Sequence, residues 1–257
     1  MNDADSAEAE SERLLAEAFD PGTLRWLSPR VHPGSHCLVL GPGTEPIVRW
    51  LEQVVGPDGR VTPLEIRPRS WCQVSSESPQ VPSSVIHQLI TNAGPFDLVH
   101  VRFAMVHALK KDELLGALVE AVRPGGLLVV EEPDFGSARA LTGPEKARRS
   151  FNNVQSAMEL VFATLGLDHA IGSRIPDLLQ QHGFENISIE NDAAIVPGKS
   201  PRADVMAMSA TQLATALIAT GFPSPNDIER YRDFANHPTC WATYLSIIRG
   251  AGVRPVG

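Results

Sequence analysis

The chain has 257 residues, 43% of them hydrophobic and 20% charged, which is typical of a globular protein with room for one large α/β domain, alone or with a small subdomain. Its net charge of −8 argues against a nucleic-acid partner, because such partners bind a basic face. The three cysteines are scattered, which argues against a disulfide framework or a zinc site. The sequence has no long apolar run and no signal-type N-terminus, so a cytoplasmic location without a membrane partner is predicted.

The N-terminal segment precedes the first predicted element. Residues 1–10 carry only acidic charges and little apolar surface, so they are predicted to be disordered. From Ser11 the apolar residues recur at helical spacing, and Pro21 with Gly22 is expected to end this helix. The remaining chain, 11–257, has no low-complexity linker and no internal repeat, and it is predicted to form a single domain.

Strands and helices then alternate along the chain. Residues 36–40 form an apolar run without polar alternation, as in a strand that is buried on both faces. Pro46 suits the first turn of the helix that follows, and Gly56 suits its end. This alternation predicts an α/β protein with a parallel, doubly wound sheet. Seven strands are predicted, at 36–40, 60–66, 84–90, 96–103, 127–132, 185–191 and 240–250.

Two helical insertions are predicted around the last strands, at about 137–170 and 200–238. The first contains an amphipathic stripe that runs from Phe151 to Leu165. The second contains "SPND" at 224–227, which is typical of a capped helix start. Both insertions are expected to lie as lids above the C-terminal edge of the sheet, where ligands of open α/β sheets bind.

The loop after the first strand has the features of a nucleotide-binding turn. Gly41 and Gly43 follow the strand, and Glu65 stands about 20 residues further on, the spacing of an acid that binds ribose hydroxyls. Pro46 occupies the third glycine position of the dinucleotide pattern, and no Gly-Lys-Ser/Thr of a P-loop follows. The spacing therefore favours an adenosine-type ligand without a pyrophosphate.

The motifs of one known family are similar to long stretches of this chain. Class I S-adenosylmethionine-dependent methyltransferases, and bacterial small-molecule enzymes in particular, resemble "CLVLGPGTEPIVRWLEQVVGPDGRVTPLEIRP", "FDLVHVRF", "AVRPGGLLVVEEPDF" and the tail "IPDLLQQHGFENISI". The resemblance implies a Rossmann-like, doubly wound seven-stranded sheet with helical lid insertions. It also implies S-adenosylmethionine as the cofactor and methyl transfer to a small hydrophobic, natural-product-type acceptor in secondary metabolism.

The resemblance implies cofactor-binding roles for several residues and also shows departures. Val39 replaces the acid two residues before the first glycine, and Glu45 replaces the third glycine. Glu45 is open to three interpretations: a helix cap, repulsion of the cofactor carboxylate or attraction of its ammonium group. Gln88 replaces an acid that meets adenine at the end of the third strand. The cofactor-binding positions that the resemblance implies are Gly41, Gly43, Glu65, Gln88, Arg102 and Phe103.

Candidate catalytic residues follow the fourth and fifth predicted strands. His107 has a tunable pKa that suits a general base, although a structural histidine is the competing interpretation. Glu132 is the second predicted catalytic residue, because carboxylates at a strand end can orient a substrate hydroxyl or amine. The predicted substrate pocket contains acids and apolar side chains, namely Glu131, Asp134, Phe135, Phe151 and Met158, with Phe162, Met206 and Met208 as further candidates.

Three other functions compete with methyl transfer. The same fold could catalyse a non-methylating cyclisation, isomerisation or elimination, with S-adenosylmethionine absent or unreactive. A pseudo-enzyme that binds a partner protein is a second alternative, and a homodimer is left open. A nicotinamide oxidoreductase comes last because of Pro46. No metal is expected in any of these functions.

Overall fold

A computed structural model of the chain describes residues 3–65, 83–108 and 110–257. None of the helices in these ranges has the length and apolar character needed to cross a membrane. The strands are β1 (His36–Gly41), β2 (Arg60–Glu65), β3 (Phe96–Arg102), β4 (Val122–Asp134), β5 (Arg139–Ala140), β6 (Glu185–Asp192), β7 (Val196–Pro197), β8 (Trp241–Thr243) and β9 (Ser246–Val253). The helices are α1 (Asp3–Leu27), α2 (Glu45–Val55), α3 (Ser83–Ala93), α4 (Lys111–Ala121), α5 (Glu145–Thr164), α6 (Ile175–Gln181), α7 (Pro201–Gln212), α8 (Ala214–Ala219) and α9 (Pro225–Ala235).

The central sheet confirms the predicted α/β, Rossmann-like fold. In the described ranges it has six strands in the order β2-β1-β3-β4-β9-β6. The first four strands are parallel, and β9 runs antiparallel to both β4 and β6. The described central sheet therefore has six strands, whereas seven were predicted. Residues 66–82 lie outside the described part of the chain. A separate small sheet has the order β5-β8-β7.

Two apolar cores cover the two faces of the central sheet. Successive residues of β1 alternate between them, because side chains of a strand point to opposite faces. Leu38 and Leu40 belong to the core that includes the helices of the predicted insertions, whereas Cys37 and Val39 belong to the core under α2 and the end of α1. Each fully buried leucine or valine contributes about 1.5–3 kcal/mol. This burial on both faces explains the uninterrupted apolar run at 36–40.

The first helix is longer at both ends than the sequence predicts. α1 begins at Asp3, which corrects the disorder predicted for 1–10 over residues 3–10 and also corrects the predicted start at Ser11. Residues 1 and 2 lie outside the described part of the chain. Alanine and glutamate are strong helix formers, so this acidic segment can continue the helix. α1 also passes through Pro21 and ends at Leu27, which is fully buried. Packing of this last part against the sheet outweighs the hydrogen bond that proline removes.

The predicted strand at 84–90 is wrong, because these residues belong to α3. Val85 and Leu89 are four residues apart, and this spacing places them on one side of a helix. Both side chains are partly buried, and Leu89 packs against the larger core. Gln88 therefore lies inside a helix with an exposed side chain, not at the end of a strand as predicted.

The predicted C-terminal strand at 240–250 is divided between two sheets. β8 pairs with β5 and β7 in the small sheet, and β9 pairs with β4 and β6 in the central sheet. The chain changes sheets at Tyr244 and Leu245, which are both buried. Burial on either side of this bend produces the continuous apolar pattern that resembles one strand.

The two predicted insertions are helical. α5 lies in the first insertion and packs against α8 and α9 of the second. α7, also in the second, packs against α1 and α9. Ser224 and Asp227 form the predicted capping box at the start of α9.

Candidate active site

The C-terminal ends of β1, β2 and β3 meet at one edge of the sheet. Gly41 is opposite Glu65 in the register of β1 and β2. A Cβ atom on Gly41 would lie 2.0 Å from the backbone oxygen of Arg102, and Gly41 has a φ of 147°. Only glycine fits this close approach. Gly43 has a φ of 58°, and nothing lies within 4 Å of the position that a Cβ would take.

Glu45 is directed along helix α2. It is the first residue of this helix, its side chain is 74% exposed, and it forms an ion pair with Arg49 one turn later. An acid in the first turn is favourable to a helix, so the structure supports the helix-cap interpretation. Val39 is fully buried in the core under α2, where an acid would lose its hydration without a partner.

The side chains of Arg102 and Phe103 are buried rather than open to the sheet edge. Arg102 Nη1 donates to Asp20 Oδ1 at 2.6 Å, which connects β3 to α1. Phe103 has a φ of 52°, and its ring packs edge-on against Phe19 with 5.4 Å between centroids. The backbone of Arg102, at the end of β3, is therefore the part that borders Gly41.

Glu131 is the centre of a buried network of charged side chains. Its carboxylate accepts from Thr23 Oγ1 at 3.0 Å and from Arg249 Nε at 2.7 Å, and it lies 2.8 Å from His100 Nε2. Burial by itself would raise the pKa of Glu131, but His100 and the guanidinium groups of Arg249 and Arg102 lower it to about 2. Its predicted role in the substrate pocket is corrected: both carboxylate oxygens are occupied inside the protein.

This network continues across the sheet as a row of alternating charge. Arg102, Glu131, Arg249 and Glu190 are aligned residue by residue on β3, β4, β9 and β6. Arg249 Nη1 donates to Glu190 at 2.8 Å and to Asp192 at 3.2 Å. Opposite charges in neighbouring positions compensate one another, which allows a charged row to exist inside the fold.

Glu132 supports the loop that follows β3. Its buried carboxylate accepts from the backbone N–H groups of Ala104 at 2.9 Å, Met105 at 2.8 Å and Val106 at 3.1 Å. Burial raises the pKa of Glu132 to about 8, although these three donors favour the carboxylate. The predicted catalytic role is corrected to a positioning role, because Glu132 contacts the loop before His107 and does not line the cavity described next.

A cavity lies between this loop and the helical insertions. The space in it that no atom occupies is about 310 Å³, including the part open to solvent. His107 and Ser209 are the polar side chains of its lining. Burial lowers the pKa of His107 to about 4, so the imidazole is neutral at physiological pH. The lining residues come from the ends of β3 and β4 and from α5, α7 and the turn after α7: Val106, His107, Phe135, Met158, Phe162, Met206, Ser209 and Leu213.

The cavity brings together only part of the predicted substrate pocket. Of the predicted pocket residues, Phe135 and Met158 line it. Phe151 does not, because its ring packs in an aromatic cluster with Tyr231 at 5.2 Å, and with Phe234 and Tyr244. Asp134 does not either, because its carboxylate caps a turn by accepting from Gly136 N–H at 2.8 Å and also bonds Ser173. These two predictions are corrected.

Several residues of the site are absent from the sequence predictions. Ser209 and Leu213 line the cavity three and seven residues after Met206, so helical spacing from Met206 could have indicated both. Arg249 interrupts the apolar run "SIIRG", and Asp20 lies in an apolar part of α1. A charged residue within an apolar pattern indicates a buried pair, but the partner cannot be read from the sequence.

The chain matches a known protein family. A family of methyltransferase domains matches residues 11–189, which is more than half of the chain. The protein therefore belongs to this methyltransferase family, as the sequence motifs predict. Methyltransferase str3 of Strobilurus tenacellus is 36% identical over 69 residues, which are 26% of this chain and 24% of that protein.

Solved structures share the fold at low sequence identity. Phosphoethanolamine N-methyltransferase 2 of Haemonchus contortus, in complex with S-adenosyl-L-methionine, has a TM-score of 0.52 and 14% identity over 98% of this chain and 57% of that one. A cyclopropane-fatty-acyl-phospholipid synthase-like protein of Lactobacillus casei has a TM-score of 0.50 and 14% sequence identity. The match covers 96% of this chain and 90% of that one. The chain spans about a quarter of the Strobilurus protein and about half of the Haemonchus one.

Proposed function

We propose that the protein is an S-adenosylmethionine-dependent methyltransferase whose acceptor is a small hydrophobic molecule bound in the cavity beside His107. The observation that carries this proposal is the position of the cavity. Its lining is mostly apolar, and it lies after the ends of β3 and β4. β3 is the neighbour of β1, the strand that ends at Gly41. The family match supports methyl transfer. A cytoplasmic role in secondary metabolism is part of the proposal.

The sheet edge fits S-adenosylmethionine. Gly41 lets the backbones of β1 and β3 approach, and the open position at Gly43 leaves room for a ligand against the loop. Glu65 ends β2 opposite Gly41 in the strand register, and it is the residue that we assign to the ribose hydroxyls. Glu45 forms an exposed ion pair with Arg49, so we do not assign its carboxylate to cofactor binding. When bound, the cofactor supplies the methyl group on its sulfonium centre.

The residues of the cavity contribute position, exclusion of water and a proton acceptor. Phe135, Met158 and Phe162 offer apolar contacts that suit an uncharged acceptor. Placement of an acceptor against a reactive carbon can contribute about 7–11 kcal/mol to catalysis. His107 is neutral, so a ring nitrogen is able to accept the proton that the acceptor loses on methylation.

The pH dependence of turnover tests the role of His107. Because burial lowers the pKa of His107 to about 4, the acid limb of kcat/KM is expected near pH 4, not near 6.5. The variant His107→Asn is expected to lose about 10²- to 10⁴-fold in kcat and to lack this limb. Steady-state kinetics with an acceptor that the wild type methylates, together with calorimetry showing unchanged affinity for S-adenosylhomocysteine, checks the prediction. Unaltered kcat in a folded variant would make His107 structural.

Substitution of Glu65 tests the cofactor site. Glu65→Ala is expected to weaken S-adenosylhomocysteine binding by about 1.5–3 kcal/mol, the range for a charge-assisted hydrogen bond. Glu52→Ala on the exposed side of α2 is the matched control and should bind like the wild type. Calorimetric titration measures both affinities. Equal affinity of the two variants would exclude Glu65 from the site.

A further inference from the structure

The side of α7 that lines the cavity begins at a charged residue. Met206, Ser209 and Leu213 line the cavity, and Arg202 precedes Met206 by four residues. The steps from Arg202 to Leu213 are four, three and four residues long, which places these positions in one row along a helix. Arg202 is therefore the first member of the row that forms this wall of the cavity.

Arg202 connects this row to the edge of the central sheet. Its side chain is 10% exposed and forms an ion pair with Asp192 at the end of β6. Nη2 donates to Asp192 Oδ2 at 2.6 Å, and Nη1 donates to the backbone oxygen of Asp192 at 3.2 Å. Two bonds from one planar guanidinium group fix its orientation as well as its distance. The start of α7 is thus held against β6.

Asp192 also links α7 to the charged row of the sheet. Its Oδ2 atom accepts from Arg249 Nη1 at 3.2 Å, in addition to the bond from Arg202. Burial by itself would raise the pKa of Asp192, but Arg202 and Arg249 lower it below its usual value. The carboxylate is therefore charged at neutral pH and compensates both guanidinium groups.

A second contact of Arg202 is with α1. Its Cζ atom lies over the ring of Phe19, 5.4 Å from the centroid, and such a cation–π contact is favourable. Phe19 packs edge-on against Phe103, which stands four residues before His107. Arg202 thus lies between α7 and the aromatic pair that precedes the His107 side of the cavity.

We propose that Arg202 is a positioning residue for the acceptor, an inference that rests on the proposed function. Together with Asp192 it holds α7 against the sheet and so fixes the wall formed by Met206 and Ser209. Arg202 acts through these two residues, because its guanidinium bonds Asp192 while they line the cavity. Without this anchor the first turns of α7 are more mobile, and binding of an acceptor must order them.

Amide hydrogen exchange of the whole chain tests the anchor without a ligand. Arg202→Met removes the charge and retains an apolar stem, and it should accelerate exchange at residues 205–212 about 10- to 100-fold, with α4 unchanged. Arg202→Lys can still donate to Asp192 and should restore most of the protection. Arg149→Met is the matched control on α5 and should exchange like the wild type, because the Arg149 side chain is 71% exposed in its ion pair with Glu145.

Titration with 2-naphthol, an apolar probe that is uncharged at neutral pH, tests the effect on the cavity. With S-adenosylhomocysteine present, Arg202→Met should bind the probe about 10-fold more weakly than the wild type, and Arg202→Lys should recover most of the affinity. Equal affinity of wild type and Arg202→Met, absence of binding to both included, overturns the proposal. Unchanged exchange in α7, or an acceleration shared equally by α4 and α7, also overturns it.

The affinity for S-adenosylhomocysteine separates this proposal from the proposed function. Calorimetry should give the same affinity for the wild type and Arg202→Met, because Arg202 acts on the acceptor side. A wild type that does not bind S-adenosylhomocysteine contradicts the proposed function, whereas the exchange of α7 still decides whether Arg202 is its anchor.

Discussion

The variant Glu131→Gln is expected to lower the free energy of unfolding by about 3–5 kcal/mol, because it leaves buried cations without their compensating charge. Glu131 is fully buried and bonds Arg249 Nε at 2.7 Å, with His100 Nε2 at 2.8 Å. A neutral amide cannot balance the guanidinium of Arg249, whose other acids, Glu190 and Asp192, are nearer the surface.

Urea unfolding of wild type and variant at neutral pH measures this change. Glu190→Gln is the matched control: Glu190 pairs with the same guanidinium but is 30% exposed, so it should cost at most about 1 kcal/mol. The lowered pKa of Glu131, about 2, adds a second expectation. Its contribution is complete above the unfolded pKa of about 4.5 and is lost as the pH falls toward 2. Similar midpoints for Glu131→Gln and Glu190→Gln would contradict the account.

The variant Glu132→Ala is expected to lower the free energy of unfolding by a similar amount, about 3–5 kcal/mol. It removes the acceptor of three backbone N–H groups, at Ala104, Met105 and Val106, and each unsatisfied buried donor costs about 1–3 kcal/mol. The loop that these groups define leads directly to His107, so its displacement also affects catalysis.

Glu132→Gln separates positioning from folding. Its amide oxygen can still accept from Ala104 and Met105, which both bond Oε1, whereas its NH₂ group would face the N–H of Val106. We expect a loss of about 1–3 kcal/mol in stability and about 10²-fold in kcat, with little change in S-adenosylhomocysteine affinity. Glu120→Gln, an exposed acid on α4, is the control. Wild-type kcat in a folded Glu132→Gln would contradict the positioning role.

The sequence predicts those elements whose cause is local. β1 and α2 follow from an uninterrupted apolar run, Pro46 and Gly56, and the structure confirms both elements. The strand predicted at 84–90 fails because a short apolar segment has no decisive period, and packing decides that it forms α3. The helix end predicted at Pro21 is wrong, because burial of Leu27 outweighs the backbone hydrogen bond that a proline removes.

The candidate site is only partly readable from the sequence. Gly41 and Gly43 are recognisable because their conformations require glycine. The roles of Glu131 and Glu132 are not, although the two residues are adjacent, because strand alternation sends one to the charged network and the other to the loop before His107. Their partners lie on α1, β3 and β9, and only the folded chain brings them together.

The central claim is that the sheet edge with Gly41, Gly43 and Glu65 binds S-adenosylmethionine. Calorimetric titration of the wild-type protein with its product, S-adenosylhomocysteine, tests this claim most directly. We predict one site per chain with a dissociation constant of about 1–100 μM, corresponding to about −8 to −5.5 kcal/mol. Absence of binding at millimolar ligand would contradict the claim. The cavity beside His107 would then serve a reaction that transfers no methyl group, or the fold would bind a partner.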